Sequence, residues 1–141
     1  MKVRKILFSI AMVALLGACQ TMSEYGDKVK GWAKFEDDKK YVVYFQSNST
    51  ALTESSEGTL YDVMQKIRQD KVEKVRVVAY TDSKGSPKYN QQLSMRRAES
   101  IKKRLSTSGA DAIDVAGAGE TAGASSVSGE KARRAEIFLN K

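Results

Sequence analysis

The chain has no histidine at all, and its 141 residues include one cysteine, one proline and one tryptophan. Without histidine it lacks the commonest general base and the commonest metal ligand. One cysteine excludes an intrachain disulfide and a cysteine zinc cluster. The two shortages leave no Ser–His or Cys–His nucleophile pair. A Ser–Lys or carboxylate-based enzyme stays formally open, but no motif supports one, so neither an enzyme nor a cofactor is expected. A single proline excludes long proline-rich linkers. The longest apolar run, Ile6 to Ala18, is broken by Ser9 and falls short of the ~20 residues a membrane-spanning helix needs.

Hydrophobic residues make up 41% of the chain and charged residues 29%. These proportions suit one soluble globular domain, and the length leaves no room for two of ordinary size. The formal charge is +7, but three of the basic residues, Lys2, Arg4 and Lys5, precede the apolar run. Removing them lowers the excess to about +4, a mild bias compatible with an anionic polymer, a membrane surface or plain solubility.

Basic start and short apolar run together have the shape of a secretion signal. The run closes on Leu16-Gly17-Ala18-Cys19, which resembles the lipobox of bacterial lipoproteins. The small residues let the backbone enter a peptidase cleft, and the thiol is the atom that receives diacylglycerol. The resemblance implies a signal peptide over 1–18 and a lipid on Cys19. Several acyl chains would hold firmly where one, at ~0.8 kcal/mol per buried CH₂, holds only marginally. Gln20, in place of an aspartate, implies sorting to the outer membrane with the domain in the periplasm. Residues 19–40 are expected to form a lipidated tether, polar and charged but carrying Tyr25, Trp32 and Phe35. As coil it would span about 25 Å.

From residue 41 the pattern becomes regular. Tyr41-Val42-Val43-Tyr44-Phe45 predicts a strand. Thr53 is a candidate N-cap for a helix whose Leu60, Val63, Met64 and Ile67 form one stripe, with Asp62 and Lys66 paired on its outer side. Val75 to Tyr80 predicts a second strand, and its Val77-Val78-Ala79 run suggests burial on both faces. A loop, Thr81 to Gly85, leads to Ser86-Pro87, an N-cap with proline at the first helical position. That helix runs through Leu93, Ala98, Ile101 and Leu105 to a stop at Gly109. Ile113 to Ala116 is weakly strand-like, Gly117 to Gly129 suggests a long loop, and Ala135 to Leu139 a closing strand. The order implies an α+β domain over 41–141, a two-layer sandwich of a mixed β-sheet with helices on one face.

Function is concentrated around the second strand and helix, in Val77-Val78-Ala79-Tyr80-Thr81-Asp82-Ser83-Lys84-Gly85 and Tyr89-Asn90-Gln91-Gln92-Leu93-Ser94-Met95-Arg96-Arg97-Ala98. Together with Gly117-Ala118-Gly119-Glu120 and Arg133-Arg134-Ala135-Glu136-Ile137, these segments resemble the OmpA-like peptidoglycan-binding domain family in its small, Pal-type lipoprotein format. The resemblance spans residues 41–141. It implies an outer-membrane lipoprotein that binds peptidoglycan non-covalently through the diaminopimelate of the stem peptide. Asp82 would take the ammonium and Arg97 the carboxylate of one stereocentre, with Thr81, Asn90 and Arg134 at positions near the pocket. Zwitterion recognition of this kind needs one anionic acceptor and one planar, two-pronged donor. Spacing alone leaves open whether Asp82 is a turn residue and Arg97 a solvated charge. The chain departs from the family pattern at Ala79-Tyr80, where Gly-His is usual, and at Ala132, where asparagine is usual.

Two other readings compete. Arg96, Arg97, Lys102, Lys103 and Arg104 make a basic helix of the kind that meets nucleic acid, but Glu99 interrupts it and a secretion signal precedes it, so nucleic acid is not expected. An accessory envelope lipoprotein that keeps the fold and acts through a protein partner is the alternative.

Overall fold

The computed structural model describes residues 40–120 and 129–140. The expected leader, Cys19 and almost all of the expected tether lie outside the described residues. Strand β1 (Lys40–Tyr44) and helix α1 (Glu54–Asp70) come first. Strand β2 (Lys74–Thr81) and helix α2 (Pro87–Leu105) follow, and then strands β3 (Ala112–Glu120) and β4 (Arg134–Asn140). The class is the expected one, α+β with a four-stranded mixed sheet.

The helices form where the sequence places a buried stripe between suitable ends. In α1, Leu60, Val63 and Ile67 are buried, and Met64 packs against them. Full burial of each such side chain stabilises by roughly 1.5–3 kcal/mol. Glu54 and Glu57 sit in the first turn, where the helix dipole favours negative charge. Thr53 has the extended backbone of an N-cap, but its hydroxyl bonds that of Ser56 at 2.9 Å instead of a backbone N–H. Lys66 pairs with Asp70, one turn further along the helix, at 3.0 Å, and not with the expected partner Asp62 one turn before it. In α2, the Ser86 hydroxyl accepts from the Tyr89 N–H and Pro87 occupies the first turn; the helix ends at Leu105, and Gly109, at φ 92°, closes the 3₁₀ turn Ser106–Ser108 that follows and not α2 itself.

The sheet order is β1-β4-β2-β3. The last strand in sequence is thus an inner one, antiparallel to both β1 and β2, while β2 and β3 run parallel across the α2 crossover. Val43, Phe45, Val75, Val77, Ala79, Ala135, Ile137 and Leu139 face the helices and close the core with Leu60, Val63, Ile67, Ala98, Ile101 and Leu105.

β3 is where the structure departs most from expectation. It extends over Ala112–Glu120, so Gly117 and Gly119 belong to a strand and not to a loop. The reason is close packing. A Cβ on Gly117 would lie 2.5 Å from the Met95 backbone nitrogen, so only glycine lets α2 settle on the strand. The helix also satisfies the strand's polar groups. Gln91 Nε2 donates to the Gly117 carbonyl at 2.6 Å, and Ser94 Oγ accepts from the Gly119 N–H at 2.9 Å.

Candidate functional site

At the C-terminal end of β2 the chain turns sharply, and a cavity of about 270 Å³ opens between that turn, the start of α2 and the segment after β1. Its lining includes Asn48, Asp82, Lys84, Asn90, Leu93 and Arg97. Asp82 shapes the turn by accepting the Lys84 N–H at Oδ1, 3.2 Å away. Gly85 at φ 95° completes it, and a side chain there would press on Tyr89 and Asn90. On the far wall, Asn48 also has positive φ, at 49°, and accepts a hydrogen bond from the Tyr89 hydroxyl.

Among the described residues Arg97 is the largest fully buried side chain, 1% exposed. Its Nε donates to the Ser49 carbonyl at 2.9 Å, Nη1 to Tyr80 at 3.0 Å and Nη2 to Gln46 at 3.1 Å. The Phe45 ring lies 4.9 Å from the guanidinium carbon. All of these partners are neutral, and among the described residues no carboxylate comes within salt-bridge distance of it. Burial lowers its pKa to about 10, opposed by the field of Asp82 across the cavity. The group therefore stays charged at neutral pH. A guanidinium has five N–H donors; three are committed to carbonyls, and two remain, the number that grips a carboxylate in a fork.

Asp82 and Arg97 thus line one cavity without pairing to each other. The expected Asn90 is there too, 1% exposed, its amide nitrogen donating to Glu120 at 2.8 Å and so tying α2 to the end of β3. Thr81 is buried beside the site, but its hydroxyl has no hydrogen-bond partner among the described residues and does not line the cavity. Arg134 lies elsewhere. It alternates with the core residues Ala135 and Ile137, so it points to the sheet face away from the helices. There its Nε donates to Glu136 at 3.0 Å, and its guanidinium stacks 4.3 Å from the centre of the Tyr80 ring. Its neighbour Arg133 reaches the cavity side instead, with Nη1 3.4 Å from Asp82 Oδ2 and Nε donating to the Phe45 carbonyl. Strand alternation is the reason: one residue of register sends adjacent side chains to opposite faces.

Tyr80 contributes its carbonyl to the site while its ring faces the other way, so its departure from the family's histidine does not alter the cavity lining. Burial raises the Tyr80 phenol pKa. Sequence reasoning did not single out Arg133, Lys84, Asn48 or the three carbonyls that hold Arg97. Carbonyls leave no side-chain signal. Register at β4 could have found Arg133, had the first core-facing residue been known.

Comparison with known proteins gives a consistent answer. Residues 44–136 match the sequence profile of the OmpA family. The outer-membrane lipoprotein YfiB of Pseudomonas aeruginosa is 37% identical over 114 residues, covering 67% of this chain and 66% of the relative. The peptidoglycan-associated lipoprotein of Buchnera aphidicola is 31% identical over 71 residues, covering 50% of this chain and 41% of that one. Similarity to both relatives therefore spans less than two thirds of their length. The crystal structure of the peptidoglycan-associated lipoprotein from Burkholderia pseudomallei shares the fold, with a TM-score of 0.58, 21% identity and coverage of 70% of this chain and 89% of that chain.

Proposed function

Because the chain belongs to the OmpA family, we propose that it is an outer-membrane lipoprotein, anchored through Cys19, whose periplasmic domain binds peptidoglycan non-covalently. Its ligand is the diaminopimelate of the stem peptide, and it works as a non-catalytic link between membrane and wall. The names of two relatives, an outer-membrane and a peptidoglycan-associated lipoprotein, agree with this reading. The observation that carries it is the buried charge of Arg97, held by carbonyls alone and facing the same cavity as Asp82. A buried cation with only neutral partners is costly. A carboxylate entering the cavity supplies a counter-charge to a guanidinium already held by three carbonyls, and that pre-organisation lowers the cost of binding.

The free end of diaminopimelate carries an ammonium and a carboxylate on one carbon. Its carboxylate takes the two remaining Arg97 N–H groups, and its ammonium takes Asp82. Arg133, whose Nη1 lies 3.4 Å from Asp82 Oδ2, yields part of that contact to the ligand. A stem with lysine at this position keeps the amine but lacks the carboxylate. It leaves Arg97 uncompensated, a difference of roughly 1–3 kcal/mol.

Co-sedimentation with purified sacculi tests the proposal. Asp82→Asn keeps the side-chain volume and the turn but removes the charge, and should weaken retention on diaminopimelate-type walls roughly tenfold or more. Lysine-type walls should retain the unaltered chain more weakly by a similar factor. Equal retention of Asp82→Asn and the unaltered chain, or of the chain on both wall types, defeats the assignment. It would favour action through a protein partner.

A further inference from the structure

The cavity at the end of β2 is not balanced in charge. Its lining carries two cations, Lys84 and Arg97, and a single carboxylate, Asp82. Beyond the lining, Arg133 lies 3.4 Å from Asp82 and Glu120 accepts from the Asn90 amide, so those two charges offset each other. Arg96 adds a cation at the rim, its guanidinium 5.9 Å from the centre of the Tyr89 ring. The free end of diaminopimelate is a zwitterion and brings no net charge. With Asp82 and Arg97 both engaged by it, Lys84 is left over.

We propose that Lys84 is a specificity residue of this site and takes a second carboxylate, borne by a stem residue covalently next to diaminopimelate. This role rests on the wall-binding reading of the cavity. Position favours the lysine. Its backbone N–H donates to Asp82 Oδ1 at 3.2 Å, and Gly85 at φ 95° turns the chain directly after it. Its Cα is thereby fixed two residues from the acceptor of the ligand's ammonium. The residue is exposed, and among the described residues no carboxylate lies within salt-bridge distance of its Nζ.

Asn48, on the far wall, offers a donor as well. Its Oδ1 accepts from the Tyr89 hydroxyl, which leaves the amide nitrogen available. The mouth is thus rich in donors, while its one carboxylate is engaged by the ammonium. The stem supplies two matching groups. The γ-linked glutamate on one side of diaminopimelate keeps its α-carboxylate, and the alanine on the other side ends a tetrapeptide stem in another. An exposed pair of this kind contributes only about two- to fivefold in affinity, so it acts on selection among stems more than on binding itself.

Synthetic alanyl-γ-glutamyl-diaminopimelyl-alanine is titrated into the full chain in detergent and followed by calorimetry. It is used unmodified, with the glutamate α-carboxylate amidated, and with the terminal carboxylate amidated. The unaltered chain should bind one amidated form about two- to fivefold more weakly, and that form identifies the carboxylate. Lys84→Gln keeps the backbone N–H that Asp82 holds, so the circular dichroism should stay intact. It should bind the unmodified stem as weakly as that amidated form and no longer distinguish the two. Lys84→Arg should restore the preference, and high salt should erase it. Equal binding of all forms by the unaltered chain would overturn the proposal, as would a preference that survives Lys84→Gln. A loss in Lys84→Gln that is the same for every form would assign the lysine to the turn and overturn it too. Asp82→Asn separates this failure from that of the wall-binding reading. If Asp82→Asn abolishes stem binding while Lys84→Gln leaves selection unchanged, only the role of Lys84 falls. If the unaltered chain binds no form at all, both fall.

Discussion

Arg97 and Arg134 each belong to an arginine pair, each stacks on an aromatic ring, and each is largely removed from water, yet their settings differ. Arg134 meets the carboxylate of Glu136, which also receives Lys40 at 3.8 Å, so charge on the open face is balanced locally. Arg97 meets three carbonyls and, among the described residues, no carboxylate within salt-bridge distance. Arg134 is compensated within the sheet, whereas the hydrogen-bond partners of Arg97 are all neutral, which is what the proposed ligand carboxylate would change. Burial alone does not separate the two. The formal charge of the partners does.

The largest effect should come from Arg97→Ala. Three carbonyls lose their donor and a hole opens in the wall, for a net loss of about 2–4 kcal/mol in urea unfolding. Binding to sacculi should vanish with it. Arg97→Lys separates the two roles, because it keeps the charge and loses the fork. It should keep most of the stability while weakening retention by about one order of magnitude. Full wall binding by Arg97→Lys would mean that a point charge suffices and that the two-pronged grip is wrong.

Gly117→Ala ranks next. It changes neither arginine but pushes the helix carrying Arg97 off β3, since the new methyl meets the Met95 backbone. Unfolding should show about 1–3 kcal/mol of destabilisation, with weaker wall binding because Asn90, Leu93 and Arg97 move together. A melting curve identical to that of the unaltered chain would show that the helix is not seated as tightly as the geometry implies. Arg134→Ala should have the smallest effect, under about 1 kcal/mol on stability and no measurable change in retention on walls. Lost wall binding in Arg134→Ala, with the fold intact, would erase the contrast between the two faces.

Much of the fold was legible along the chain, because periodicity records which side of an element is dry. The stripe Leu60, Val63, Met64, Ile67 and the Ser86-Pro87 start of α2 appear where the pattern puts them. Asp82 and Arg97 were legible as a motif, and so was Asn90. β3 was not, because the same glycines signal a flexible loop or a tight contact depending on what lies across from them. The inversion of Arg133 and Arg134 escaped for a related reason. Adjacent residues in a strand differ only by which face they take, and that choice is made by the whole register of β4 against β1 and β2.

By itself, then, the amino-acid order determined the succession of elements, the N-cap of α2, the core stripes and the identity of the two opposite charges. Each of these depends on neighbours within a turn or a strand. Tertiary structure alone decided that the two charges share one cavity and that Arg97 is held by carbonyls from Gln46, Ser49 and Tyr80. It also decided that Gly117 is a seat and not a hinge. Those outcomes depend on groups up to 51 residues apart in the chain, and backbone carbonyls, identical at every position, leave no mark in the sequence that foretells where they will converge.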